Sequence, residues 1–103
     1  MATEPLAIVP GRSTNIPPNF FNVPASTSSV MLISNNPDRK MVVIFNDSTS
    51  KMYLNLGTPA TTSQFKVKLA PQGYFEFTIP IFLGSINAVW DSTDGFAKVS
   101  EFV

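Results

Sequence analysis

Two residue types are absent from this 103-residue sequence, cysteine and histidine. Without cysteine there is no disulfide, no thiolate zinc site and no cysteine nucleophile. Without histidine the commonest general base, metal ligand and pH switch is gone. Charge is scarce as well. Only 14% of residues are charged, against a usual quarter, and seven Lys/Arg balance seven Asp/Glu. A duplex-binding domain carries a basic excess to neutralise phosphates, so a net charge of zero argues against a nucleic-acid partner. Ser, Thr and Asn carry the polar surface instead, which suits lasting packing against a neighbour. No run approaches the roughly 20 apolar residues of a membrane span, so no membrane partner is expected. The opening MATEPLAIVPGRSTN has Glu4 where a basic n-region belongs, and it does not read as a signal peptide. A soluble product made in the cytoplasm is expected.

What is present is β-structure. The length allows one domain with one core. Five prolines (Pro5, Pro10, Pro17, Pro18, Pro24) fall before residue 25, where missing donors and a pinned φ predict an extended, largely unpaired arm over residues 1–25. Residues 26–103 then form the domain proper. SVMLIS (29–34), MVVIF (41–45), KMYLNLG (51–57), QFKVKLA (64–70), YFEFTI (74–79), SINAVWDS (85–92) and FAKVSEFV (96–103) read as strands. MVVIF is apolar in both phases and is expected to be central and covered on each side. VIFNDSTSKMYLNLG (43–57) reads as a hairpin about a polar turn, with NNPDRK, PQG and STDG as further turns. No apolar pattern of helical period has useful length. The fold class is all-β: a single antiparallel β-sandwich of roughly seven to nine strands with jelly-roll or Greek-key connections. Alternation places Val43, Phe45, Leu54, Leu56, Phe65, Val67, Phe75, Phe77, Ile79, Ile86 and Trp90 inward, and Lys66, Lys68, Glu76 and Thr78 outward.

The seven carboxylates are Glu4, Asp38, Asp47, Glu76, Asp91, Asp94 and Glu101. Most lie in the arm or at turns, where aspartates accept local backbone hydrogen bonds. DSTDG (91–95) is too short and too weakly acidic for a calcium loop, and Asp-Gly is itself a turn signal. No catalytic residue, metal ligand or cofactor site is assigned, and the chain reads as a non-enzyme. Trp90 and Tyr74 raise a sugar-stacking platform, but the phase Ile86, Ala88, Trp90 is that of a core. The interface candidates are Pro17, Pro18, Phe20 and Phe21 in the arm and Phe102 and Val103 at the end of the last strand. The arm phenylalanines either fold back on their own domain or dock on a neighbouring subunit. A terminal strand offers an open sheet edge.

The order NPDRKMVVIFNDSTSKMYLNLG (36–57), FKVKLAPQGYFEF (65–77) and INAVWDSTDGFAKVSEF (86–102) resembles small β-sandwich modules among structural proteins of tailed bacteriophages. The matching positions are Arg39, Lys40, Asn46, Asp47, Ser48, Tyr53, Leu54, Leu56, Gly57, Pro71, Gly73, Tyr74, Glu76, Ile86, Ala88, Trp90, Val99 and Glu101. All read as fold-makers, and the arm is unmatched. The resemblance implies a virion structural protein, foremost a head decoration or cement protein bound between major capsid proteins. It further implies a symmetric homo-oligomer, trimer in preference to dimer. A tail or neck fibre or receptor-binding module reading a host surface glycan is the alternative, and an inhibitor that occupies a host protein is a weaker one.

Overall fold

The computed structural model describes residues 15–77 and 79–103, so Glu4, Pro5, Pro10 and Thr78 lie outside the described residues. Eight strands are present: β1 (Asn19–Pro24), β2 (Val30–Ile33), β3 (Met41–Asp47), β4 (Met52–Leu56), β5 (Val67–Leu69), β6 (Tyr74–Phe77), β7 (Ile86–Trp90) and β8 (Phe96–Phe102). There is no helix among the described residues. The strands form two four-stranded antiparallel sheets, β1-β8-β3-β6 (sheet I) and β2-β7-β4-β5 (sheet II). The all-β sandwich expected from alternation is therefore observed.

The expected hairpin over residues 43–57 is not. Of consecutive strands only β4 and β5 share a sheet, and every other connection crosses from one sheet to the other. The polar stretch after β3 is an arch, and the reason is Asn46. Its fully buried amide donates to the carbonyls of Ser50 at 2.9 Å, Ala70 at 3.1 Å and Leu69 at 3.3 Å, and its Oδ1 accepts from the Trp90 indole N–H at 3.2 Å. Those bonds tie the end of β3 across the sandwich to β5 and β7. The STDG turn is an arch too. Gly95 has φ +89°, and a Cβ there would lie 2.3 Å from the Asp47 carbonyl oxygen. Gly95→Ala combines backbone strain with a clash against backbone, and it is expected to lower stability by about 2–3 kcal/mol. The urea midpoint measures this, and an unchanged midpoint would mean that the arch relaxes without cost. The turn at Asn36–Arg39 forms as expected, with the Arg39 N–H donating to the Asn36 carbonyl at 3.2 Å and Asn36 Oδ1 accepting from the Asp38 N–H at 3.0 Å.

At the other end of β3 the Arg39 guanidinium is buried. It donates to Glu101 Oε2 at 2.9 Å, to the Phe82 and Gly84 carbonyls at 2.7 and 2.9 Å, and to the Ser34 carbonyl at 2.6 Å. Asn36 adds a bond to the same carboxylate oxygen at 3.2 Å. The two networks thus anchor opposite ends of one strand. Between them lies the apolar core, which includes Val42, Ile44, Met52, Leu54, Ile86, Ala88, Trp90, Ala97 and Val99.

Several expected core positions need correction. In β3 it is Val42, Ile44 and Asn46 that point inward, while Val43 and Phe45 face outward and are half-buried. A strand apolar in both phases hides its register from sequence. Phe75 has the inward phase but lies on edge strand β6 and stays 38% exposed, packing edge-on against Phe77. Ile79 falls beyond β6 and is exposed. Phe65 packs on Tyr53 outside the main core, and Leu56 and Val67 are half-buried against it.

The strands buried on both faces are β4 and β7, not β3. The 57–66 loop lies over them. Asn55 and Asn87 donate to the carbonyls of Pro59 and Gly57 at 2.8 and 2.6 Å, and the Ala60 N–H donates to Ser29 Oγ at 3.0 Å. Tyr53, Ala60 and Val89 form a second cluster with Phe65, whose ring centroid is 5.2 Å from that of Tyr53. The chain itself covers the outside of β4 and β7, while Met31 on β2 and Lys68 on β5 stay exposed at the margins of sheet II.

Candidate protein-interaction face

Sheet I has no such cover among the described residues. Its outer side chains form rows across the sheet: Phe102–Met41, Phe20–Ser100–Val43–Glu76, Asn22–Lys98–Phe45–Tyr74 and Pro24–Phe96–Asp47. Phe20 is 58% exposed, Tyr74 62% and Phe96 44%, with Met41, Val43, Phe45 and Phe102 half-buried around them. Isolated surface apolar groups are ordinary, but here they recur in every row, interleaved with Asn22, Ser100, Lys98, Glu76 and Asp47, which makes the face a candidate contact surface.

Lys98, Asn22 and Asp47 are held together on this face. Lys98 Nζ donates to Asn22 Oδ1 at 3.1 Å, lies 3.7 Å from Asp47 Oδ2, and sits 5.9 Å from the Phe20 ring centroid. These partly exposed contacts orient the lysine more than they stabilise the fold.

The sequence candidates divide. Pro17 and Pro18 are exposed just before β1. Residues 19–24, expected to be an unpaired arm, instead form β1 along β8. The prolines serve its open side. The Ala25 N–H donates to the Gly95 carbonyl beside β8, so alternation turns the backbone of positions 18, 20, 22 and 24 away from β8. Pro18 and Pro24 therefore remove donors from the free edge and blunt it against further strand pairing. Phe20 lies on the outer face, whereas Phe21 lies opposite Val99 in the inward phase and remains 40% exposed at the sheet margin. Phe102 joins Phe20 on the outer face, and Val103 lines a shallow hollow with Ile16, Asn19, Pro37 and Lys40. The last strand is not an open edge, because β8 lies between β1 and β3. The sequence reading put Val43 and Phe45 in the core, raised Tyr74 only for sugar stacking, and did not single out Met41 and Phe96. The available signal was the doubly apolar MVVIF together with Phe96 and Phe102, which share a phase opposite to Ala97 and Val99.

The carboxylates are dispersed. Glu101 is buried on Arg39, Asp47 meets Lys98, and Asp91 accepts from the Tyr53 hydroxyl at 3.3 Å. Burial, aided by that bond to Asp91, raises the Tyr53 pKa above its ordinary value. Asp94 accepts from the Ser92 and Thr49 hydroxyls and from the Thr49 N–H at 3.2 Å, and these bonds hold its pKa at about 2. DSTDG is thus a side-chain-bonded turn. Trp90 is buried and its N–H is bonded to Asn46, while Lys66 and Lys68 are exposed on β5 and the loop before it. Comparison with known protein families, curated proteins and solved structures finds no match for this chain.

Proposed function

We propose that this chain is a non-enzymatic structural protein of a tailed-bacteriophage virion, a decoration or cement protein made in the host cytoplasm and bound among major capsid proteins on the head. The observation that carries the reading is the asymmetry of the sandwich. One outer face is covered over β4 and β7 by its own loop, and the other carries Phe20, Tyr74 and Phe96 exposed and Phe45 and Phe102 half-buried, with no loop over them among the described residues. A broad apolar face with dispersed charge suits permanent protein contact rather than chemistry on a small molecule. The strand orders β1-β8-β3-β6 and β2-β7-β4-β5, with nearly every connection crossing, we read as a jelly roll, an architecture used by viral capsid domains. The motif resemblance points the same way, and its positions Arg39, Glu101, Asn46, Ser48 and Trp90 are fold-makers within the two buried networks. The glycan-binding alternative has less behind it. With Trp90 interior, Tyr74 alone remains of its stacking pair.

The test is quantitative mass spectrometry of purified particles. Copy numbers that follow the capsid lattice are expected, together with earlier heat release of the genome from particles lacking the protein. Absence from the particle, or copies matching only a tail tip, would overturn the proposal.

A further inference from the structure

We infer that the free edge of β6 takes an extended segment of another protein as a fifth strand of sheet I. The inference goes beyond the virion reading and does not depend on it. It concerns the edge beside the outer face, not the face itself.

Among the described residues the two sheets end in four edge strands, and three of the edges are guarded. Pro18 and Pro24 take donors from the free side of β1. A register shift between Met31 and Ile33 interrupts β2. β5 has only three residues, with Lys68 exposed in the middle. β6 has none of these devices. Its register with β3 is unbroken from Tyr74 to Phe77, and it contains neither proline nor lysine. The Asn46 N–H donates to the Gly73 carbonyl at 2.8 Å, so alternation turns the backbone of Phe75 and Phe77 toward β3. The N–H and C=O groups of Tyr74 and Glu76 therefore face the open side. What matches such a row of donors and acceptors is another extended backbone.

The side chains define the segment further. Phe75 is in the inward phase yet 38% exposed, because no strand among the described residues lies beyond it. A strand added at ~4.8 Å sets one side chain beside that ring, and an apolar one fits there. On the outer face Glu76 is exposed and meets no cation among the described residues. A lysine or arginine opposite it completes a cross-strand pair. That charge separates a foreign segment from a second copy. β6 has no cation to offer its own copy, and pairing two β6 edges about Phe75 sets both Glu76 carboxylates on one face.

The experiment is an NMR titration of the isotope-labelled full chain with the capped peptide acetyl-Val-Lys-Val-Thr-Val-amide. In antiparallel pairing its central valine lies opposite Phe75 and its lysine opposite Glu76. Saturable shifts centred on the Tyr74, Phe75 and Glu76 amides are expected, with a dissociation constant on the order of a few millimolar. Methylating the backbone nitrogens of the peptide's lysine and threonine removes the donors aimed at β6 and should weaken binding about tenfold or more. Glutamate in place of the peptide lysine should weaken it about threefold, and Glu76→Gln should erase that difference. The inference is overturned by no saturable shift at millimolar peptide, by shifts centred on β1, β2 or β5, or by a methylated peptide that binds as well. A chain that dimerises alone, with its Tyr74 and Glu76 amides protected from exchange, gives the edge to a second copy and overturns it too. Peptide binding at β6 by a chain missing from purified particles leaves this inference standing and removes the virion reading. A chain that coats particles but ignores the peptide does the reverse.

Discussion

Replacing Arg39 by methionine is expected to lower folding stability by about 3–5 kcal/mol, the cost of leaving a buried partner charge uncompensated. The Arg39 side chain is fully buried, and its Nε lies 2.9 Å from Glu101 Oε2. Methionine fills much of the same volume but supplies none of the donors. Glu101 would keep only the Asn36 amide, and the carbonyls of Ser34, Phe82 and Gly84 would lose theirs. Those carbonyls lie after β2 and before β7, so the damage spreads from sheet I to the connections with sheet II. Arg39→Lys should recover little, because a single ammonium cannot reproduce a planar fork with four acceptors around it. The double variant Arg39→Met/Glu101→Leu removes the stranded charge and should be clearly more stable than Arg39→Met alone. Urea unfolding of the parent, Arg39→Met, Glu101→Leu and the double variant closes the thermodynamic cycle. A single-variant loss below about 1 kcal/mol, or a double variant no better than the single, would show that the pair is not the anchor described.

The second large effect is expected at Asn46. Asn46→Ala should cost about 3–4 kcal/mol, since several buried polar groups lose partners at once. Its Oδ1 accepts from the Trp90 indole at 3.2 Å and the Ser48 hydroxyl at 2.7 Å, and its amide serves three carbonyls, Leu69 in β5 and Ser50 and Ala70 in two connections. Asn46→Asp should be no better, because a carboxylate would face those carbonyls with neither donor nor counter-charge. Trp90→Phe removes one donor and leaves one acceptor short, so it should be the milder single change. Combined with Asn46→Ala it should cost less than the sum of the two. The chain has one tryptophan, buried beside Asn46, so its emission reports unfolding in every protein that retains it. Strict additivity of the two substitutions would mean that indole and amide act independently. The bond would then be incidental.

How much of this was legible beforehand differs from strand to strand. Val67 and Leu69 flank Lys68, and Ile86, Ala88 and Trp90 hold one phase, so β5 and β7 could be placed and faced from sequence, whereas Phe65, expected inward with them, packs on Tyr53 outside the main core. The Asn36–Arg39 turn was legible for an equally local reason, since Pro37 pre-sets its φ and the Asn36 side chain bonds two residues on. The phase of β3 was not legible, because Met41, Val43 and Phe45 are as apolar as Val42 and Ile44. Half of the candidate face was hidden with it. Phe20 and Phe102 stood out as unplaced aromatics, whereas Met41, Val43, Phe45, Tyr74 and Phe96 emerged only when the register set them side by side.

Local matters were settled within the sequence: β-structure with no helix among the described residues, the main strand positions, the chain reversals, and the absence of cysteine and histidine. Each depends on residues within a few positions of one another. Tertiary structure alone decided which strands share a sheet. A polar turn reverses the chain whether the next strand hydrogen-bonds alongside at about 4.8 Å or stacks across the core at about 10 Å. The choice lay with distant partners. Asn46 reaches Trp90 across 44 positions, and Arg39 reaches Glu101 across 62. Burial on the outer side of β4 likewise awaited the 57–66 loop, and exposure on the outer side of β3 is the lack of any such loop over sheet I among the described residues. Alternation records which side chains share a face, and only the folded chain determines which face is covered.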